Sequence, residues 1–234
     1  MRAKSLRLGM LLMLVAIALL PITDHAAIDL AGTVTQISGN VTAQLQGQVA
    51  RNLREGDVVY AGEEIRTAGD SSVKMKLQDN TQFALGADSR MRIAQYRYRN
   101  NPATDILQTQ IYKGIFRFVS GLIAKKRQQS MTVVTSVATI GIRGTHVIGE
   151  VTETSATIAL MEPEEAGKQT AIEVSNQYGS VVIDKPRFET VIPDAHSPPS
   201  PPRPVATQRI DNMLRSIQTI RRVVVPRLPP RLPN

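Results

Sequence analysis

Between Gly32 and Ile192 apolar and polar residues alternate with a period of two over short stretches. Val73, Met75 and Leu77 are interleaved with Lys74, Lys76 and Gln78. Met91 and Ile93 alternate with Arg90 and Arg92, and Leu107, Thr109 and Ile111 with Gln108 and Gln110. A period of two sends successive side chains to opposite faces, so each stretch predicts a strand with one buried face. Turn-forming pairs recur at Gly56-Asp57, Gly69-Asp70, Asp79-Asn80 and Asp88-Ser89, spaced 9 to 13 residues apart. Short strands at that spacing predict an all-β sandwich, barrel or solenoid. No long helical pattern interrupts them, which argues against parallel strands joined by helices. Two further strands, Ala171 to Ser175 and Ser180 to Asp184, extend the β-region towards Ile192.

After Ile192 the pattern changes. Residues 197–204 read SPPSPPRP, which favours extended polyproline and predicts a semi-rigid spacer within a linker spanning 193–206. Beyond it, Ile210, Met213, Leu214, Ile217, Ile220 and Val224 fall at helical spacing, with Arg209, Arg215, Arg221 and Arg222 between them. This predicts an amphipathic helix from about Thr207 to Val225, stopped by Pro226, within a C-terminal unit of residues 207–234. Such a helix can cap the β-region, bind a partner or lie on a membrane surface.

The front of the chain is of another kind. Arg2, Lys4 and Arg7 precede an apolar run of 13 residues from Leu8 to Leu20, and the small residues Ala26 and Ala27 follow. These are the parts of a secretory signal peptide over residues 1–27, and the run is shorter than the ~18 residues a membrane span needs. The expectation is therefore an exported protein with no integral span once the leader is cleaved; retention of the leader as an anchor is the alternative. Cysteine is absent, so the exported body must be held by its own core and can carry no lipid on a thiol. The formal charge is +8, and loss of the leader with Asp24 leaves a basic protein suited to anionic glycans, lipid head groups, nucleic acid or solubility.

Catalytic chemistry finds little footing. His25, His146 and His196 lie far apart without companions at metal-ligand spacing. There is no Gly-x-Ser-x-Gly elbow, phosphate loop or dinucleotide fingerprint. Glu55, Asp57, Asp70, Asp79 and Asp88 sit beside Gly, Asn or Ser, as turn-making residues do. Aromatics make up 4% of the chain and tryptophan is absent, so stacking platforms for bases or sugars are scarce. Phe83, Phe116 and Phe118 are read as core, His146 as a half-buried strand residue, and Tyr96, Tyr98 and Tyr112 as exposed rings. No enzyme activity, cofactor, metal or nucleic-acid partner is expected.

The stretch from Val133 to Val151 contains Ile140-Gly141-Ile142-Arg143-Gly144-Thr145, an arginine between glycines among β-branched residues. Glycine lets another group approach closely, so Arg143 is expected to turn inward, or to reach across a turn, and tie carbonyls or a carboxylate; binding an anionic ligand is the alternative. This stretch, from Thr135 to Thr145, resembles the closing motif of the FecR domain family. Gly32-Thr-Val, Leu53-Arg-Glu-Gly-Asp57, Gly62-Glu-Glu-Ile-Arg-Thr67, Gly69-Asp-Ser-Ser-Val73, Leu77-Gln-Asp-Asn-Thr81 and Gly114-Ile-Phe-Arg-Phe118 fit the same pattern in order. Ser136 replaces the family's usual proline and Asn80 its usual glycine; Asn tolerates the left-handed turn.

The resemblance implies short strands wound into a flattened, solenoid-like stack over residues 28–192, with a sandwich as the competing arrangement. It also implies a non-catalytic module that works by protein contact on the periplasmic side of the cell envelope. Members known as signal transducers place a cytoplasmic anti-sigma segment and a span where this sequence has a leader, so that role is not carried over. The expected contact surface is exposed sheet edge around Arg143, Gly144 and Thr145 up to Val147, together with Arg215, Arg221 and Arg222 on the helix. The alternative partner is an anionic cell-wall or surface glycan, held by Lys125, Lys126 and Arg127 in a basic loop.

Overall fold

The computed structural model describes residues 29–127, 130–163 and 170–218. As the periodicity predicts, the described residues are mostly β. The first half holds β1 (Leu30–Ser38), β2 (Val41–Gln44), β3 (Arg51–Asn52), β4 (Val58–Tyr60), β5 (Glu64–Thr67), β6 (Ser72–Leu77), β7 (Gln82–Leu85) and β8 (Arg90–Arg97). A 14-residue strand, β9 (Ile106–Val119), and a short helix, α1 (Leu122–Lys126), lie at the centre. They are followed by β10 (Met131–Val134), β11 (Thr139–Arg143), β12 (His146–Val151), β13 (Ala156–Leu160), β14 (Ala171–Asn176), β15 (Gly179–Ile183), β16 (Phe188–Ile192), β17 (Arg203–Pro204) and a terminal helix, α2 (Thr207–Ile217).

The pairings form two runs that share β9. One run orders as β4-β1-β6-β7-β9-β12-β13-β16-β17. The other orders as β3-β2-β5-β8-β9-β10-β11-β14-β15, with every pair antiparallel except β9 with β10. We call them the first and second runs. Residues Ile106–Lys113 of β9 serve the second run and Gly114–Val119 the first. The changeover falls at Gly114, whose φ is +106° and whose place a side chain could not take: a Cβ there would lie 2.1 Å from Ser89 Oγ.

Alternation along the strands explains the core. Val73, Met75 and Leu77, Met91 and Ile93, and Leu107 and Ile111 are buried, and they join inward residues of both runs in one apolar cluster. Phe83, Phe116 and Phe118 sit in its middle, with ring centroids 5.7 and 6.1 Å apart. Tyr96 departs from expectation: it is buried, and its hydroxyl accepts the Asp79 backbone N–H at 3.0 Å. Burial, with the nearby Asp79, pushes the Tyr96 phenol well above its usual pKa. The predicted turns carry left-handed residues at Gly56, Asp70, Asn80 and Asp88.

The basic loop predicted at Ala124–Ser130 is in part helical. Its helix, α1, has a glycine before it that offers no side-chain cap, and Asp79 of the β6–β7 turn substitutes. The Asp79 backbone carbonyl accepts from Leu122 N at 2.8 Å and its carboxylate from Ile123 N at 3.3 Å. Gly121 is required here because a Cβ would lie 2.2 Å from the Asp79 carbonyl oxygen.

A second, smaller cluster covers the outward face of the first run. Ile210, Met213 and Ile217 of α2 pack on Ala84, Ile148, Ala159 and Met161, with Ile115 and Leu214 at the margin. Burying three such side chains favours docking by roughly 1.5–3 kcal/mol each before entropy is counted. Small residues admit the helix: Gly86 has no room for a Cβ, which would meet Ser216 Oγ at 2.8 Å. Within the described residues the helix stops at Ile217, with Gln218 already extended, so Ile220, Arg221, Arg222 and Val224 lie outside them. The proline-rich segment lies on β16: Ser200 N donates to Val191 O at 2.9 Å and Thr190 Oγ1 to Ser200 O at 2.7 Å.

Candidate functional site

Strand β11 points Ile140 and Ile142 into the core, and Thr139, Gly141 and Arg143 outward. Arg143 is therefore exposed, and the expected inward turn does not occur. Neither flanking glycine makes room for it. A Cβ on Gly141 would touch Glu173 only at 3.9 Å, and one on Gly144 would meet nothing. Gly144 is needed for its φ of +54°, which turns the chain from β11 in the second run to β12 in the first. Thr145 is buried beyond that turn. Its N–H donates to Ser120 Oγ at 2.6 Å and its carbonyl accepts from Ser120 N at 2.9 Å. Arg-Gly-Thr is thus a crossover clamped to the end of β9.

Most of the sheet edge expected at residues 143–147 is closed for a topological reason, although β10 reaches along β11 only to Gly141. β11 is bonded on one side to β10 and on the other to β14, and β12 to β9 and β13. In the second run the strand with a single neighbour after β11 is β15, paired only with β14 among the described residues. Its Val182 is 57% exposed and Tyr178 beside it 44%, so an apolar patch borders this edge. Gly141, Arg143, Glu173 and Val182 line a shallow outward depression of about 130 Å³.

The other predicted residues are not gathered with Arg143. Lys125 and Lys126 are exposed on α1 and Arg127 just after it; Lys126 hydrogen-bonds Asn100, and Arg127 Nη2 donates to Asp105 O at 3.4 Å. Arg215 lies on the exposed face of α2, bonded to Asn212 Oδ1 at 2.7 Å. Arg221 and Arg222 fall outside the described residues.

The burial of Glu189 and the partners of His146 escaped the sequence reading. Glu189 of β16 is buried, yet faces outward beside α2; Arg203 Nε donates to its Oε1 at 3.2 Å and Arg209 Nε lies 3.9 Å from Oε2. It ties β17 and α2 to the sheet, although its two arginines lie 14 and 20 residues away in sequence. His146 is half-buried, as expected, but specifically held. Arg117 Nε donates to its Nε2 at 2.6 Å, and its Nδ1 lies 3.3 Å from the Glu162 carbonyl. Burial first, and the Arg117 charge second, push the imidazole pKa down to about 4. His146 is therefore neutral at physiological pH, a hydrogen-bonded joint between β9 and β12. Among the described residues no cluster of three metal-binding side chains occurs, and no helix is long and apolar enough to cross a membrane.

Comparison with known proteins adds the following. Residues 63–176 match the family model described as FecR protein. None of the curated proteins compared matches the chain. Two crystal structures of a candidate anti-sigma factor from Parabacteroides distasonis resemble it in fold. One superposes with a TM-score of 0.50 at 14% identity, covering 64% of each chain. The other has a TM-score of 0.49 at 15% identity, covering 64% of this chain and 63% of that one. The chain thus spans less than two thirds of those proteins.

Proposed function

Residues 63–176 are a FecR domain, and on that premise we propose that the protein is a non-catalytic signalling or protein-interaction module of the cell envelope. Export through the leader at residues 1–27 would deliver it to the periplasm, where it works by contact with another envelope protein. The observation that carries this reading is the FecR match itself, joined to a strand edge, β15, just beyond the matched residues. Among the described residues β15 has a ladder partner on one side only, with Val182 and Tyr178 exposed and Arg143 and Glu173 across the adjoining depression. An extended segment of a partner would add to this edge through main-chain hydrogen bonds, and Val182 and Arg143 would select its side chains. The docked α2 occupies the opposite, first-run face as a cap.

The test places a photoreactive amino acid at Ser180, exposed on the same strand, in the native host and identifies what it captures. A single envelope protein captured there, and lost on Val182→Lys, supports the reading. No capture, or capture indifferent to the charge, removes β15 as the contact. Intact mass of the periplasmic protein tests export directly, with cleavage expected after Ala26 or Ala27.

A further inference from the structure

We infer that the outward face of the second run carries an acidic-saccharide site built on Arg66, Arg90 and Arg92. The register of two strands produces it. β5 and β8 pair Arg66 directly with Arg90, and Glu64 with Arg92. Like charges facing each other across a sheet are destabilising. Glu64 relieves the Arg66–Arg90 pair diagonally: Arg66 Nε donates to Glu64 Oε1 at 2.6 Å, and Arg90 Nε and Nη2 reach its two oxygens at 2.8 and 2.9 Å. Arg90 also lies over the Tyr112 ring, 4.3 Å from its centroid, so its plane is fixed. One carboxylate is consumed by two guanidiniums. Arg92, directly opposite that carboxylate, keeps a buried Nε with no hydrogen-bond partner.

The surroundings give this charge a shape. The arginines, Glu64 and Tyr112 floor a groove of about 350 Å³, walled by Gly62 and by Gln44, Gln46 and Gly47 at the β2–β3 turn. The volume falls at the lower end of small-molecule sites. Guanidinium forks match a carboxylate, and side-chain amides match hydroxyls. The lining offers no aliphatic side chain to hold an acyl chain or an apolar peptide anchor, so a uronic-acid unit fits it best. This site is separate from both the β15 edge and the α1 cations, and its test is independent of the protein-contact reading.

Full-length protein is titrated with oligogalacturonate, with a neutral galactose oligomer and with inorganic phosphate, following backbone and arginine Nε NMR signals. Oligogalacturonate is expected to shift Arg66, Arg90, Arg92 and Tyr112 while the other two leave them in place. Arg92→Gln is expected to weaken binding about tenfold or more, since a charge-assisted hydrogen bond is worth over a decade. Lys185→Gln, an exposed cation outside every proposed site, should not weaken it. An unaltered melting temperature for Arg92→Gln confirms that the fold is intact, and should it fall, the wild-type shift map alone decides. Absence of shifts in the groove, equal response to phosphate, or binding unaffected by Arg92→Gln would each overturn the assignment.

Discussion

Glu189 and Arg203 face each other in register across β16 and β17, with Arg203 Nε 3.2 Å from Glu189 Oε1. The carboxylate is buried and the arginine half-exposed, so the pair is an anchor set at the rim of the α2 interface. Glu189→Gln is expected to destabilise by about 1–3 kcal/mol, because it leaves Arg203 and Arg209 without their anion. The loss should be local: hydrogen exchange should accelerate in 203–217 and stay slow in β9. Uniform acceleration throughout the sheet would contradict an anchoring role.

Gly121 and Gly144 should respond differently to alanine. At Gly121 the new Cβ strikes backbone of the β6–β7 turn at 2.2 and 2.4 Å, atoms that cannot give way. Thermal melts should show a loss of about 3 kcal/mol or more, the top of the overpacking range. At Gly144 there is open space and only the left-handed φ to penalise, so about 1–2 kcal/mol is expected. Equal costs would refute the crowding argument.

His146 sets a pH dependence whose sign follows from its depressed pKa. Between the ordinary histidine value and about 4 the unfolded chain binds a proton at this position and the folded protein does not. Its contribution is therefore intact above that window and is lost as pH falls through it. Melting temperatures at pH 7, 6, 5 and 4 should decline more steeply for the wild type than for His146→Gln. An imidazole NMR titration should show a midpoint near 4, and a midpoint above 6 would dismiss the Arg117 contact.

Arg143→Ala should leave stability within about 0.5 kcal/mol, as for a surface position. The side chain is exposed, and the crossover beneath it is clamped by Ser120 and Thr145. A loss above 2 kcal/mol in chemical denaturation would restore a tying role to this arginine.

What could be read in the residues depended on whether the signal was local. Val73, Met75 and Leu77 declare their strand and its buried face by alternation alone, and Asp70, Asn80 and Asp88 declare their turns by residue type. The α2 stripe of Ile210, Met213 and Ile217 was equally plain, though not the surface it covers. Arg143 misled because glycine neighbours suggest close approach, whereas Gly141 has space and Gly144 serves a turn. The Arg66–Arg90 facing pair and the Glu189 clasp depend on which strands become neighbours. Period two cannot say that β5 lies against β8, or that Arg203 returns to β16.

The strand β9 has a consequence for how the molecule is made. It supplies partners to β7 and β8 before it in the chain and to β10 and β12 after it, so neither half owns a finished sheet. Synthesis from the amino terminus completes β1 to β8 before their central neighbour exists. Until residue 119 has been added, β7 and β8 each lack a ladder partner on one side, and the sheet can close outward in both directions only once that strand is in place.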